Sequence, residues 1–90
     1  MRIHELKCWP EYFEPLRDGR KRFEYRNNDR QFIVGDLLRL REFNGSTQQY
    51  TGREATVQVD YIMNGEHFAY LTPGYVIMSI TKVSLEVKRE

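Results

Sequence analysis

A regular alternation of residues between Glu54 and Met63 constrains the fold of this chain more than any other feature. Apolar side chains occupy every second position there, at Ala55, Val57, Val59, Tyr61 and Met63. Because successive side chains of a β-strand point to opposite faces, this period of two predicts a long strand with one buried face. The chain is therefore expected to contain a sheet built around this strand.

Four further segments have strand-like patterns: Ile3 to Cys8, the residues that follow Lys21, Leu37 to Phe43, and Tyr75 to Ile80. The last of these is almost continuously apolar, which predicts burial on both faces and a central place in the sheet. Turn-forming residues separate the segments, at Asn27-Asn28-Asp29, Val34-Gly35-Asp36, Asn44-Gly45-Ser46, Asn64-Gly65 and Pro73-Gly74.

A short helix is predicted between the first two strands. Pro10 suits a first helical turn, and Gly19 suits the residue that ends a helix. Pro15 lacks a backbone donor in the middle of the segment, so a kink or two short turns are expected. A second helical turn is predicted between Glu66 and Leu71.

The length and composition allow one domain, residues 1–90, because a chain of 10.9 kDa cannot form two independent cores. Five strands and one or two short helices predict an α+β fold. We expect a small, closed or nearly closed β-barrel with a helix covering an opening.

Several classes of protein are excluded by what the sequence lacks. No apolar run is long enough for a membrane span, and the charged N-terminus does not resemble a signal peptide, so a cytoplasmic protein is expected. One cysteine, Cys8, and two histidines provide neither an internal disulfide nor zinc-ligand spacing. Phosphate-binding loops, dinucleotide-binding turns and serine-hydrolase motifs are also missing, so neither a metal nor a cofactor is expected.

Positive charge is concentrated in one part of the chain. The formal net charge is only +1, but residues 17–41 contain eight basic and four acidic residues, a local charge of +4. This clustering favours a local basic patch. The alternative is that the arginines are separate, solvated surface residues, which is the usual state of charged side chains.

The segment from Gly19 to Arg26 places Lys21, Glu24 and Arg26 close together at the start of a strand. Glu24 and Arg26 are two residues apart, so they share one face at a spacing of about 6.6 Å. An ionised carboxylate beside cationic donors suits a nucleobase, whose amino and imino groups donate to the carboxylate. An exposed set of ion pairs with no ligand is an equally good interpretation.

The same segment fits the Gly-x-Lys-x-x-Glu-x-Arg signature of the ASCH domain (activating signal cointegrator homology), a member of the PUA-like superfamily of small β-barrels. Further motifs extend the similarity over nearly the whole chain: His4-Glu5-Leu6-Lys7, Pro10-Glu11-Tyr12-Phe13, Val34-Gly35-Asp36, Tyr50-Thr51-Gly52-Arg53 and Gly74-Tyr75-Val76-Ile77. Together these motifs most resemble the short ASCH-like proteins of unknown function from phages and bacteria.

This resemblance implies a PUA-like barrel with a cleft that holds RNA or a modified nucleoside. By position, Lys7, Lys21, Glu24 and Arg26 line the cleft. Some ASCH relatives are amidohydrolases that deacetylate N4-acetylcytidine with a lysine, a threonine and a glutamate, and one is reported as a ribonuclease. Lys21 matches the lysine of those enzymes, but Glu24 occupies the position of the threonine.

Three functions follow as hypotheses. The first is an RNA- or nucleoside-binding module. The second is a hydrolase of acylated nucleosides or RNA, in which Lys21 and Glu24 are catalytic. The third is an accessory module that binds a protein through the basic face.

Three other side chains have alternative interpretations. Trp9 either stacks on a base at the rim of the cleft or caps the core. His4 is expected to form a hydrogen bond within the barrel in preference to a contact in the cleft, and Cys8 is expected to be a small buried side chain.

Overall fold

The structure, a computed structural model, describes residues 1–66 and 69–87 of the chain. Five strands and one helix follow one another along it: β1 (Ile3–Cys8), α1 (Pro10–Arg17), β2 (Phe23–Asn27), β3 (Leu37–Asn44), β4 (Gln49–Met63) and β5 (Tyr75–Val87). The predicted α+β fold with about five strands is confirmed.

The five strands form one sheet in the order β1-β3-β4-β5-β2. The parallel pair is β1 with β3, while β3–β4, β4–β5 and β5–β2 are antiparallel. Register shifts in β3, β4 and β5 help the sheet to curl. The result is a half-barrel rather than the closed or nearly closed barrel that was predicted, with β1 and β2 as its terminal strands.

The core lies inside the curl, where α1 packs against the sheet. The alternation in β4 buries Ala55, Val57 and Val59, as the sequence predicted. Phe13 and Leu16 are the buried residues of α1, and they join the same cluster. Each such side chain contributes about 1.5–3 kcal/mol when fully buried. This packing holds the helix beside the open side of the sheet.

The helix begins with Pro10 and continues through Pro15 as one element, so the alternative of two short turns was wrong. Pro15 removes only its own backbone donor, and the helix ends two residues later. Beyond it the Asp18 N–H donates to the Glu14 carbonyl, and the Lys21 N–H donates to the Pro15 carbonyl. Gly19 has φ +87°, the left-handed conformation expected of a residue that ends a helix.

Two strands differ from their prediction. β4 begins at Gln49, earlier than the alternation indicated, because pairing with β3 extends to the hairpin turn. β5 lies inside the sheet, as predicted, but only one of its faces is buried: Val76, Met78 and Ile80 are buried and Ser79 is exposed. The one helix of the described residues packs on the buried face and leaves the other face of β5 uncovered. The predicted turn at residues 66–71 includes residues 67–68, which lie outside the described residues.

Among the residues that the structure describes, no helix is both long enough and apolar enough to cross a membrane.

Candidate functional site

A cavity of about 600 Å³ opens between β1, α1 and β2, on the open side of the curled sheet. This volume lies in the range of small-molecule binding sites. All five residues predicted to bind a nucleic acid or nucleoside line it: Lys7, Trp9, Lys21, Glu24 and Arg26. The structure therefore brings the predicted residues together around one hollow, which we call the cleft.

A carboxylate held by two cations lies in the cleft. Glu24 is only 4% exposed. Its Oε1 accepts from Lys21 Nζ at 3.1 Å, and its Oε2 lies 3.5 Å from Arg26 Nε. Lys21 Nζ also donates to the Phe23 carbonyl at 2.8 Å, so one of its three N–H donors has no protein acceptor in these contacts.

The alternation of β2 explains why this carboxylate is buried. Glu24 faces inward, and Phe23 and Tyr25, on the opposite face of the strand, are 49% and 45% exposed. The strand thus presents its charged face to the interior and its aromatic face to solvent. A burial rule based on hydropathy alone predicts the reverse, because it ignores that β2 is a terminal strand beside an open cleft.

Two aromatic residues with half-exposed side chains line the cleft on the side of the helix: Trp9, 45% exposed, and Tyr12, 50% exposed. Phe23 and Tyr25 border the cleft from the opposite face of β2, and the Tyr25 ring stacks on Tyr75 with centroids 5.1 Å apart. The sequence analysis found only Trp9. The i, i+1, i+4 spacing of Tyr12, Phe13 and Leu16 in the sequence predicts that all three are buried, but Tyr12 is exposed. Aromatic rings that are open to solvent beside polar groups are suited to stacking on a planar ligand.

Trp9 and Lys7 occupy the rim of the cleft. The Trp9 ring packs edge-to-face on Phe43, with centroids 5.9 Å apart, and the Lys7 ammonium lies 4.3 Å from the centroid of the same Phe43 ring. The Lys7 carbonyl accepts from Arg26 Nη2 at 2.8 Å. Lys7 therefore contributes a backbone acceptor to the cleft, while its charge is placed over an aromatic ring.

Cys8 lines the cleft as a buried thiol, 4% exposed, as expected. Burial and, to a smaller extent, the Glu24 carboxylate together raise the pKa of the Cys8 thiol to about 11, against the opposing effects of Lys21 and Arg26. The group is therefore a neutral thiol near neutral pH. It is a weak nucleophile in this state.

A second polar cluster, which the sequence analysis missed, links α1 to the sheet. Glu42 is 3% exposed and accepts from Arg53 Nε and Nη2, both at 2.8 Å, and from the Thr51 hydroxyl at 2.6 Å. Arg53 Nη1 also lies 3.4 Å from Glu14 of the helix. The hydrogen bonds from Arg53 hold the pKa of Glu42 below its usual range, despite its burial.

His4 lies outside the cleft, as expected. Its Nε2 is 3.0 Å from Asp36 Oδ2. Asp36 also accepts from the backbone N–H groups of Arg2 and Ile33. This carboxylate ties β1 to the turn before β3.

The basic stretch 17–41 does not form one patch. Arg39 and Arg41 pair with Glu54 and Glu5 on the sheet. Other members form ion pairs with neighbouring acids: Arg17 with Glu14, Arg20 with Asp18, and Lys21 and Arg26 with Glu24. Arg22 and Arg30 have no ion pair among the described side chains. Most of the basic residues in this stretch are therefore paired with nearby acids and do not form one continuous basic surface.

The groups that line the cleft are suited to hydrogen bonding and stacking. Within residues 1–66 and 69–87, no three His, Cys, Asp or Glu side chains lie together as metal ligands. The cleft offers a carboxylate acceptor, cationic donors and aromatic faces within one small volume. Carboxylates and cations form hydrogen bonds with polar rings, and aromatic faces stack on planar ones.

Comparisons with known proteins give a family but no activity. Residues 3–80 match the family described as domain of unknown function DUF3850. The chain is also similar to the uncharacterized 12.9 kDa protein in the GpA 3′ region of Escherichia phage P2, with 36% identity over 58 residues. That alignment covers 64% of this chain and 51% of the phage protein, so the chain spans about half of its relative's length. Because the family match extends over most of the sequence, the chain belongs to the DUF3850 family.

Proposed function

We propose that the cleft binds a nucleobase and that the protein is a small RNA- or nucleoside-binding module of the ASCH type, with a PUA-like barrel. The observation that carries the proposal is Glu24: a nearly buried carboxylate held by Lys21 and Arg26 in a cleft lined by half-exposed aromatic rings.

The geometry favours a ligand over an isolated ion pair. Exposed ion pairs contribute little to stability, and buried ones rarely repay the cost of desolvation. Glu24 and Lys21 are both largely buried, with side chains 5% and 13% exposed, yet they border a hollow of about 600 Å³. A polar ring placed there restores hydrogen bonds to the lone pairs of Glu24 that protein donors leave unused.

The carboxylate also predicts which bases bind. An ionised carboxylate accepts hydrogen bonds but donates none, so Glu24 favours a base edge with an exocyclic amino group. Cytidine presents such a donor and uridine presents an acceptor at the same position. We therefore expect tighter binding of cytidine than of uridine.

The test measures the affinity of the protein for a panel of nucleosides and short single-stranded RNAs. Trp9→Ala is expected to weaken binding by about tenfold, since a stacked base contributes about 1–3 kcal/mol. Lys21→Ala is expected to weaken it by a similar factor, since a hydrogen bond from a charged donor contributes about 1.5–3 kcal/mol. Glu24→Gln is expected to abolish the preference for cytidine over uridine. Tyr61→Ala and Arg30→Ala are matched controls, because they remove an exposed aromatic and an exposed cation outside the cleft.

Thermal unfolding of each variant separates binding from folding. Equal affinity of Trp9→Ala, Lys21→Ala and the parent for every ligand contradicts the proposal. Equal losses in the cleft variants and the Tyr61 and Arg30 controls also contradict it.

One contact supports hydrolysis as a second candidate. Lys21 Nζ and Glu24 Oε1 lie 3.1 Å apart at the edge of the cleft, close enough to act together on a bound water. Incubation with N4-acetylcytidine, followed by chromatography, tests this candidate. Turnover in the parent that Lys21→Ala and Glu24→Gln both abolish supports it, and no turnover above a blank removes it.

A further inference from the structure

A second cavity, of about 330 Å³, lies beside the cleft at the end of α1. Its lining includes Leu16 of α1, Gly19 just beyond the helix, and part of β5, from Ile80 to Lys82. Three cationic residues are among those that line it: Lys21, Arg22 and Lys82. We call it the basic cavity.

Two of these cations, Arg22 and Lys82, have no acidic partner in the part of the chain that the structure describes. Arg22 Nε donates to the Gly19 carbonyl at 3.2 Å, and Lys82 Nζ donates to the Arg17 carbonyl at 2.7 Å. No carboxylate of the described residues forms an ion pair with either side chain. Each of them keeps further N–H donors that these single contacts do not use. Neither charge beside the cavity is therefore neutralised by an ion pair with a described acid.

One acid lies near this region and reduces its positive potential. The Thr81 hydroxyl donates to Asp60 Oδ2, so Thr81 is not an available donor to a ligand. Asp60 itself is not among the residues that line the basic cavity. Its charge opposes the binding of an anion without blocking the cavity.

The two cavities share one residue. Lys21 lines both of them, and the neighbouring residues divide between them, with Arg20 on the side of the cleft and Arg22 on the side of the basic cavity. The consecutive cations Arg20-Lys21-Arg22 thus separate a site suited to a base from a site suited to an anion. A nucleotide has these two parts, joined by a sugar.

We propose that the basic cavity binds a phosphate group of the ligand whose base occupies the cleft. This inference rests on the proposed function, and it makes the ligand a nucleotide or an RNA strand instead of a free nucleoside. Arg22 and Lys82 donate to the phosphate oxygens. Hydrogen bonds between cationic donors and phosphate are among the stronger ones in proteins.

The contacts with the helix are a competing explanation for the two cations. Positive side chains near a helix C-terminus stabilise its last carbonyl groups, and Arg22 and Lys82 do contact Gly19 and Arg17. If that were their whole role, their removal would lower thermal stability and leave ligand affinity unchanged. The experiment therefore measures both quantities.

Calorimetric titration of the full chain compares cytidine, the two cytidine monophosphates with 3′ and 5′ phosphate, and inorganic phosphate. One of the monophosphates is expected to bind about tenfold more tightly than cytidine. Arg22→Ala and Lys82→Ala are each expected to remove most of this difference while leaving cytidine affinity unchanged. Asp60→Asn is expected to increase the difference in affinity between the monophosphate and cytidine. Arg30→Ala is the matched control, because Arg30 is another exposed arginine that donates to a backbone carbonyl, that of Glu5.

The outcomes separate this inference from the proposed function. Cytidine binding with no gain from either phosphate overturns the inference and leaves the proposed function intact. Binding of the monophosphates no tighter than that of inorganic phosphate overturns the link between the cavities. Failure of cytidine and of both monophosphates to bind overturns both proposals.

Discussion

Arg26 joins two strands that lie at opposite ends of the sheet order. It belongs to β2, and its Nη2 donates at 2.8 Å to the carbonyl of Lys7, which belongs to β1. The same guanidinium forms the ion pair with Glu24 in the cleft. One side chain thus bridges the open side of the half-barrel and holds the carboxylate on which the proposed site depends.

Arg26→Lys is expected to loosen this bridge. A lysine keeps the charge but cannot reproduce the two directed contacts of the planar guanidinium. We expect a loss of about 1 kcal/mol, or roughly 4–8 °C in Tm. Amide hydrogen exchange in β2 should accelerate more than exchange in β4. Arg30→Lys is the control, since Arg30 also donates to a carbonyl of β1, that of Glu5; equal acceleration in both variants contradicts the bridging role of Arg26.

Asp36 is expected to make stability depend on pH in acid. Burial favours its protonated form, but the hydrogen bonds from His4, Ile33 and Arg2 outweigh that effect, and the pKa falls to about 2. A carboxyl group with a lowered pKa stabilises the fold above its unfolded pKa of 3.8, and the contribution disappears as the pH falls through about 2. The shift corresponds to about 2 kcal/mol.

Urea unfolding at several pH values tests this prediction. Asp36→Asn should be less stable than the parent by about 2 kcal/mol near neutral pH, and the difference should vanish as the pH approaches 2. The exposed Asp29, changed to Asn, is the matched control. A difference between parent and Asp36→Asn that does not change with pH excludes ionisation as the source of the effect.

The helix and strands were predictable from the sequence because their signals are local. Pro10 and Gly19 mark the ends of the helical segment, and the alternation in β4 marks a half-buried strand. The start of β4 at Gln49 has no such signal, because pairing with β3 and not hydropathy makes that segment a strand. The burial of β5 on one face depends on where α1 packs, which is a tertiary property.

The site was predictable to the extent that its residues are neighbours in sequence. Lys21, Glu24 and Arg26 lie within six residues, so their spacing alone places them together. Glu42 and Arg53 meet across β3 and β4 next to a register shift that no sequence pattern announces. The exposure of Tyr25 was also hidden, because it depends on β2 being a terminal strand.

The reactivity of Cys8 should report the charges of the cleft. Because burial and the Glu24 carboxylate raise the pKa of the thiol to about 11, the folded protein should react slowly with an aromatic disulfide reagent near neutral pH. Glu24→Gln should lower the pH at which the reaction rate is half-maximal, relative to the parent. Lys21→Ala should raise that pH above the value of the parent. Chemically unfolded protein is the control, because it gives the reaction rate of the Cys8 thiol when the thiol is exposed.

The opposite signs of those two shifts distinguish charge from exposure. A variant that merely opens the cleft makes the thiol more accessible and more acidic, whichever side chain is removed. A lower midpoint in both variants therefore contradicts an electrostatic origin and indicates a loosened cleft.

The position of Trp9 should be sensitive to the turn between β3 and β4. A Cβ added at Gly45 lies 3.1 Å from Trp9 Cζ3, which is closer than ordinary van der Waals contact. Since the Trp9 side chain is half-exposed, Gly45→Ala should displace the indole by a few tenths of an ångström with a change in stability of less than about 0.5 kcal/mol. This is the one tryptophan of the chain, so its fluorescence spectrum reports the displacement. Base binding should weaken by a few-fold if Trp9 stacks on the ligand.

Gly65→Ala is the control, because a Cβ there meets no described atom within 4 Å. An unchanged spectrum and unchanged affinity in Gly45→Ala, relative to Gly65→Ala, contradict a stacking role for an indole in this position.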